Sequence, residues 1–261
     1  MSGSGRALIT GGARRLGRAM ALHLATRGWD VAVHYNASAE AAEATVAEAR
    51  EAGARAAALG ADLLDARAVA GLVGRAGEAL GGPLTLLVNN ASIFEPDRLA
   101  TMTSESWTRA IGSNLAAPVT LAQGFAAQAP GPDVDARGEP VARAVIVNMI
   151  DQRVWKTTPS FHSYTLAKSA LLTFTRTAAQ GLAPKVRVGA IGPGPTLPAT
   201  RQSEDHFARQ RAGCVLGRGS DVEDILAALD FILACKAFTG QMLAVDGGQH
   251  LAWRTPDIVG D

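Results

Sequence analysis

Arg6-Ala7-Leu8-Ile9-Thr10-Gly11-Gly12-Ala13-Arg14-Arg15-Leu16-Gly17 joins a short apolar run to a glycine-bearing turn. A helical pattern follows, with Leu16, Ala19, Met20 and Leu24 on one side. Strand, glycine turn and helix together present free backbone N–H groups to a phosphate. Gly11 permits the tight turn, and Gly17 lets helix, strand and ligand come close. The spacing is T-G-x-x-x-R-x-G and not the strict G-x-G-x-x-G. A plain strand-to-helix turn is the alternative.

Working outward, the alternation repeats. Trp29 to Tyr35 reads as a second strand, Ala39 to Gly53 as an alanine- and glutamate-rich helix, and Arg55 to Gly60 as a third strand. Asp65 to Leu80 is helical and is broken by Gly81-Gly82-Pro83. Leu84 to Val88 is continuously apolar, as a strand buried on both faces must be. A helix from Ser104 to Gln128 contains Asn114, a poor mid-helix residue that serves a kink or a water. Strands at Ala144–Met149, Val186–Ile191 and Gln241–Val245 alternate with helices at Ser160–Gly181 and Asp221–Ala234, the latter with Ile225, Leu229 and Ile232 on its apolar face. With no internal repeat, this is one α/β domain over residues 1–261, a doubly wound parallel sheet. Met1 to Gly5 reads as a flexible tail and Ala129 to Val141 as an exposed loop. Residues 199–219, with Arg201, Asp205, His206, Arg209 and Arg211, read either as a mobile substrate lid or as a solvated helix.

The composition excludes several classes. A formal net charge of +1 gives no electrostatic reason to bind nucleic acid or an anionic membrane. Cys214 and Cys235 form no C-x-x-C, and His23, His34, His162, His206 and His250 have no ligand spacing, so no metal is assigned. No apolar run approaches the ~18 residues that span a bilayer. Residues 1–5 lack the apolar core of a signal peptide, and the expectation is a cytoplasmic protein acting on a small molecule.

Ligands in such sheets bind beyond the carboxyl ends of the strands. Asp62, Asn89-Asn90-Ala91-Ser92-Ile93-Phe94 and Asp151 all stand there. Asp62 is suited to an adenine amino group or to capping the next helix. The second strand ends at His34-Tyr35-Asn36-Ala37-Ser38, with no acid for a ribose 2′-hydroxyl. Arg14, Arg15 and Ser38 would instead hold a 2′-phosphate, which favours NADPH, unless the two arginines are solvated surface charges. Tyr164 and Lys168, in Ser163-Tyr164-Thr165-Leu166-Ala167-Lys168, share a helix face. A close ammonium lowers a phenol's pKa by ~1–3 units, towards a working proton donor. An ordinary exposed i,i+4 pair is the alternative.

Taken together, Thr10-Gly11 through Gly17, Asp62, Asn89-Asn90-Ala91, Asn114, Tyr164-x-x-x-Lys168, Pro193-Gly194 and Asp246-Gly247-Gly248 resemble the short-chain dehydrogenase/reductase family over nearly the whole length. The resemblance implies a single-domain Rossmann fold with about seven parallel strands, usually a homotetramer whose C-termini reach a neighbouring subunit. It implies that Lys168 also holds the nicotinamide ribose and that Asn114 keeps a proton-relay water. It places Leu16, Tyr35, Asn36, Leu63, Asn90, Ala91 and Ser92 at the cofactor, with the Pro193-Gly194 backbone beside the nicotinamide. Many relatives have glycine where this chain has Arg15, and most have serine where it has Asp151. Those two departures, with Asn89-Asn90-Ala91-Ser92-x-Phe94 and His34-Tyr35, are similar to the pteridine reductases. That likeness implies a pterin between the nicotinamide and Phe94, with Asp151 assisting Tyr164 in protonating a ring nitrogen. Phe94 is otherwise core packing. Ser92 and Leu197 join the substrate contacts, and Trp155 is either pocket lining or packing. Pteridine reductases of the parasite type carry a basic residue where this chain has Ala37. The expected activity is reduction of a pterin or dihydropterin. The alternatives are a ketone reductase of the same family or a non-catalytic NADPH-binding regulator.

Overall fold

Alternate residues of each central strand face opposite sides of the sheet, so both sides must be covered. Ile9, Val33, Val88 and Val147 belong to one buried cluster, and Leu8, Ala32, Leu87 and Ile146 to another. The computed structural model describes residues 5–199 and 202–254.

In chain order the elements are β1 Arg6–Ile9, α1 Arg15–Ala25, β2 Asp30–Tyr35, α2 Ala39–Glu51, β3 Ala56–Gly60, α3 Ala66–Leu80 and β4 Leu86–Asn89. Next come α4 Ser104–Ile111, α5 Ala117–Gln128, β5 Asp133–Val134, β6 Pro140–Val141, β7 Ala144–Met149 and α6 His162–Leu182. The chain continues with β8 Val186–Pro193, α7 Glu204–Ala212, α8 Val222–Ala234 and β9 Met242–Val245. The seven-stranded sheet runs β3-β2-β1-β4-β7-β8-β9, all parallel. The strand order reverses between β1 and β4, so a crevice opens beyond their carboxyl ends. One face packs Met20 and Leu24 of α1, Val46 of α2 and Leu229 and Ile232 of α8. The other packs Leu72 of α3, Leu121 and Phe125 of α5 and Ala178 of α6.

Local chemistry sets the helix ends. Asp65, and not Asp62, caps α3 by accepting from Arg67 N and Ala68 N. Ser203 caps α7 through His206 N, and Asp221 closes a capping box on α8. The helix expected over Ser104–Gln128 is a run of α4 and α5 joined by a π-helical segment, Gly112–Ala116, centred on Asn114. The expected loop at 129–141 is corrected in one respect: β5 and β6 pair as a two-residue hairpin. In the supposed lid, Glu204–Ala212 is a regular helix with no buried residue, while Thr200 and Arg201 lie outside the described residues. So do residues 1–4 of the expected tail and 255–261 of the expected subunit contact. No helix among the described residues is long and apolar enough to cross a membrane.

Candidate active site

The crevice between β1 and β4 is a cavity of about 1050 Å³. Its floor is the glycine turn. Gly11 has φ +62°, and a Cβ on Gly17 would run into the Gly11 carbonyl oxygen. Helix α1 begins there with Arg14 as its N-cap and no side chain capping it. The first-turn N–H groups therefore face the cavity without protein partners, an arrangement that fits a phosphate. Gly11, Arg14, Leu16 and Gly17 line this floor, Asn36, Asp62 and Leu63 line one end, and Asn90, Ala91, Ser92 and Phe94 line the other. Asp62 spends one carboxylate oxygen on Leu64 N and keeps the other free.

Four expected cofactor contacts are placed differently. Arg15 lines the cleft but sends its guanidinium across it to Pro198 O (2.8 Å) and Leu197 O (3.3 Å), away from the end of β2. Its backbone has φ +54°, the left-handed region where glycine is at ease. The Tyr35 ring packs over Gly60, and neither it nor Ser38 lines the cavity. Gly194 N–H donates to Val245 O at 3.0 Å, so the Pro193-Gly194 turn has lost that donor for a carboxamide. Leu197 reaches the site through its carbonyl, not its side chain.

His34 was missed as a site residue, although it stands at the carboxyl end of β2. Buried, it accepts from Gly11 N at Nδ1 (3.0 Å) and donates from Nε2 to Ala61 O (3.0 Å). Those partners require the neutral Nε2–H tautomer, and burial lowers its pKa. The glycine turn is thereby tied to the end of β3. Asn90 ties it to β4, donating to Thr10 O (2.9 Å) and Gly11 O (3.2 Å).

Helix α6 carries the expected catalytic pair, Tyr164 and Lys168. The Tyr164 hydroxyl donates to Asp151 Oδ2 at 2.9 Å. Asp151 Oδ1 accepts from Arg153 N at 2.8 Å. Lys168, 2% exposed, donates from Nζ to Met149 O at 2.7 Å and lies 5.7 Å from the Tyr164 ring centroid. The expectation that Lys168 draws the phenol's pKa down is not met. Burial raises Tyr164 well above its ordinary value, and the neighbouring Asp151 adds to the rise. Burial likewise raises Asp151 and lowers Lys168 to about 8. Burial thus favours the neutral phenol, which donates to Asp151.

Asn114 is fully buried, and its side chain is committed to protein. Nδ2 donates to Ile93 O and Ala110 O, both at 3.0 Å, and Oδ1 accepts from Ser92 Oγ at 2.7 Å. The π-helical turn thus holds Ser92 and the strand end in place. Phe94 is 42% exposed but already stacked, on Phe161, with ring centroids 4.2 Å apart and planes 3° apart. It also meets Tyr164 at 4.7 Å in a T-shaped contact. Phe161 was also missed, because its φ of +58° and its stacking are tertiary facts. So was Asp97, whose buried carboxylate accepts from Ser163 N and Oγ while its carbonyl accepts from Phe161 N. Asp97 fastens the loop that carries Phe94 to the start of the catalytic helix.

Comparison with known proteins agrees with this geometry. The family model for short chain dehydrogenase matches residues 6–209. This chain belongs to the short-chain dehydrogenase family. Within that family it is 30% identical to the 3-oxoacyl-[acyl-carrier-protein] reductase FabG of Staphylococcus aureus, covering 94% of this chain and 98% of the relative. Among solved structures it is similar to FolM alternative dihydrofolate reductase 1 from Brucella suis in complex with NADP, with 44% identity and a TM-score of 0.89 over 97% of this chain and 98% of that one. The same protein from Brucella canis, also complexed with NADP, has 43% identity and a TM-score of 0.90 over 97% of each chain. The doubly wound sheet is thus that of a family oxidoreductase.

Proposed function

We propose that this chain is an NADPH-dependent reductase of a pterin or dihydropterin. The observation that carries the reading is the hydrogen bond from Tyr164 to Asp151, a carboxyl in place of a neutral hydroxyl. A ring nitrogen gaining a proton is served by a group that can carry one, and a ring amino group by a group that can accept one. The similarity to the NADP-bound FolM structures supports both cofactor and substrate class.

When bound, the nicotinamide supplies the hydride. This chain's residues do the rest. The free N–H groups at the start of α1 would hold the cofactor's phosphates, with Arg14 beside them on the floor and Asn36 at the end where a 2′-phosphate would lie. Lys168, now bonded to Met149 O, would hold the nicotinamide ribose. Phe94, 42% exposed and backed by Phe161, offers an aromatic surface to the heterocycle. Tyr164 delivers the one proton that accompanies the hydride, and Asp151, hydrogen-bonded to it, relays a proton that restores the phenol. Burial of all three titratable groups gives a preorganised electrostatic site.

A second reading, reduction of an oxoacyl ketone, is favoured by the FabG relatives. NADPH oxidation followed at 340 nm with dihydropterins, dihydrofolate and a ketone panel separates the two. Preferential pterin or folate turnover supports the first; turnover of ketones alone sinks it. The reading includes a cytoplasmic homotetramer, and sedimentation analysis that returned a monomer would remove the oligomer from it.

A further inference from the structure

Arg153 stands two residues after Asp151, on the far side of the aromatic stack. Its guanidinium carbon lies 5.1 Å from the Phe161 ring centroid, and Phe161 in turn lies flat on Phe94. Guanidinium, Phe161 and Phe94 form one column beside Tyr164. The side chain is half-buried, yet only Nη1 is hydrogen-bonded, to Thr158 Oγ1 at 2.8 Å. Its Nε is buried with no partner, and among the described residues no carboxylate lies within ion-pair distance of it.

Two other buried or partly buried arginines, Arg187 and Arg211, are paired. Arg187 donates to Phe238 O and Leu233 O, and Arg211 bonds Asp221 and two backbone carbonyls at 2.7 and 2.9 Å. A buried donor left without a partner is unfavourable, and a ligand group that accepts from it relieves that cost. Next to it, Gln152 is 6% exposed and also keeps a buried oxygen, Oε1, without a partner.

We propose that Arg153 is the recognition group for a carboxylate carried by the heterocyclic substrate. The inference rests on the pterin reading and narrows it. A planar fork of donors that makes no close ion pair among the described residues, and feels the charge of Asp151 only at longer range, matches a carboxylate in shape and charge. Two steps, 4.2 Å and 5.1 Å, separate the Phe94 ring from the guanidinium by way of Phe161. A group reaching Arg153 must therefore extend beyond a heterocycle placed on Phe94. A folate, with a second aromatic ring and a carboxylate-bearing tail, meets that requirement. A pterin with a short hydroxylated side chain does not.

The test compares dihydrofolate with dihydrobiopterin by NADPH oxidation, using the full chain, Arg153→Met and Arg153→Gln. The ratio of kcat/KM for dihydrofolate to that for dihydrobiopterin is expected to fall ~10–100-fold in both variants, through KM for dihydrofolate. A ratio that moves less than about threefold overturns the assignment and leaves the pterin reading standing. Wild-type protein that turns over neither compound overturns both. Should the variants not fold, the wild-type salt dependence decides. Raising ionic strength should increase KM for dihydrofolate and not for dihydrobiopterin, and equal responses overturn the inference.

Discussion

The Tyr164 hydroxyl and Asp151 Oδ2 are 2.9 Å apart, and both groups are withdrawn from water. Burial disfavours the charged form of each, so the pair holds protons that either group alone in water would release sooner. Lys168 is close enough to belong to the same site but gives its strongest bond to Met149 O. The phenol is thus governed by its carboxylate neighbour more than by the lysine one turn away.

Replacing that acceptor should cost chemistry. Asp151→Ser is expected to lower kcat/KM for a dihydropterin by ~10²–10⁴-fold, the range for one acid–base group. In the wild type, kcat should decline as pH rises through the carboxyl's raised pKa, since the carboxyl then loses the proton it supplies. Asp151→Asn should abolish that limb. A pH–rate profile for the three proteins checks both statements, and an Asp151→Ser enzyme with unchanged pterin turnover would refute the proton-delivery role.

Lys168 makes stability depend on alkaline pH. Its folded-state pKa, about 8, lies below the ordinary 10.5. Between those values the unfolded chain binds more protons, so stability rises with pH across that window. Urea unfolding at pH 7.5 and 9.5 should show the wild type gaining on the order of 1–2 kcal/mol relative to Lys168→Met. A parallel response of the two proteins would show that the ammonium is not buried as described.

His34 acts on the acid side. Its pKa is lowered by burial, so the unfolded state takes up a proton that the folded state resists. Stability should fall as pH drops below the ordinary 6.5, by up to ~1.4 kcal/mol per pH unit. His34→Gln should flatten that slope in melting temperatures taken from pH 7.5 to 5.5. It should also weaken NADPH binding, because His34 holds the Gly11 turn.

Arg15 carries backbone strain at φ +54°. Arg15→Gly should be more stable than Arg15→Ala by ~1 kcal/mol, because both lose the bridge to Leu197 and Pro198 but only glycine relieves the strain. Midpoints of urea unfolding, compared pairwise, measure this directly. Equal midpoints would mean that the turn relaxes when the side chain is gone.

By itself the sequence determined the layered sheet, because apolar strands alternating with amphipathic helices have few other ways to bury both faces. It also placed Asp62, Asn90 and Asp151 at the carboxyl ends of strands, and its family resemblance grouped Asp151 with Tyr164 and Lys168, which the fold brings together. The strand ends follow from periodicity, and the grouping from motifs whose order and spacing run through the whole chain. Several other relationships waited on the fold, because they depend on partners far apart in the chain. Arg15 meets Leu197 and Pro198 from the opposite end of the chain, and His34 meets Gly11 and Ala61. Asp97 meets Ser163, and Phe161 covers Phe94. The protonation of Tyr164 was also beyond the sequence. A helix spacing of four places an ammonium nearby, but burial and the angle of approach, set by packing, decide whether that charge reaches the phenol.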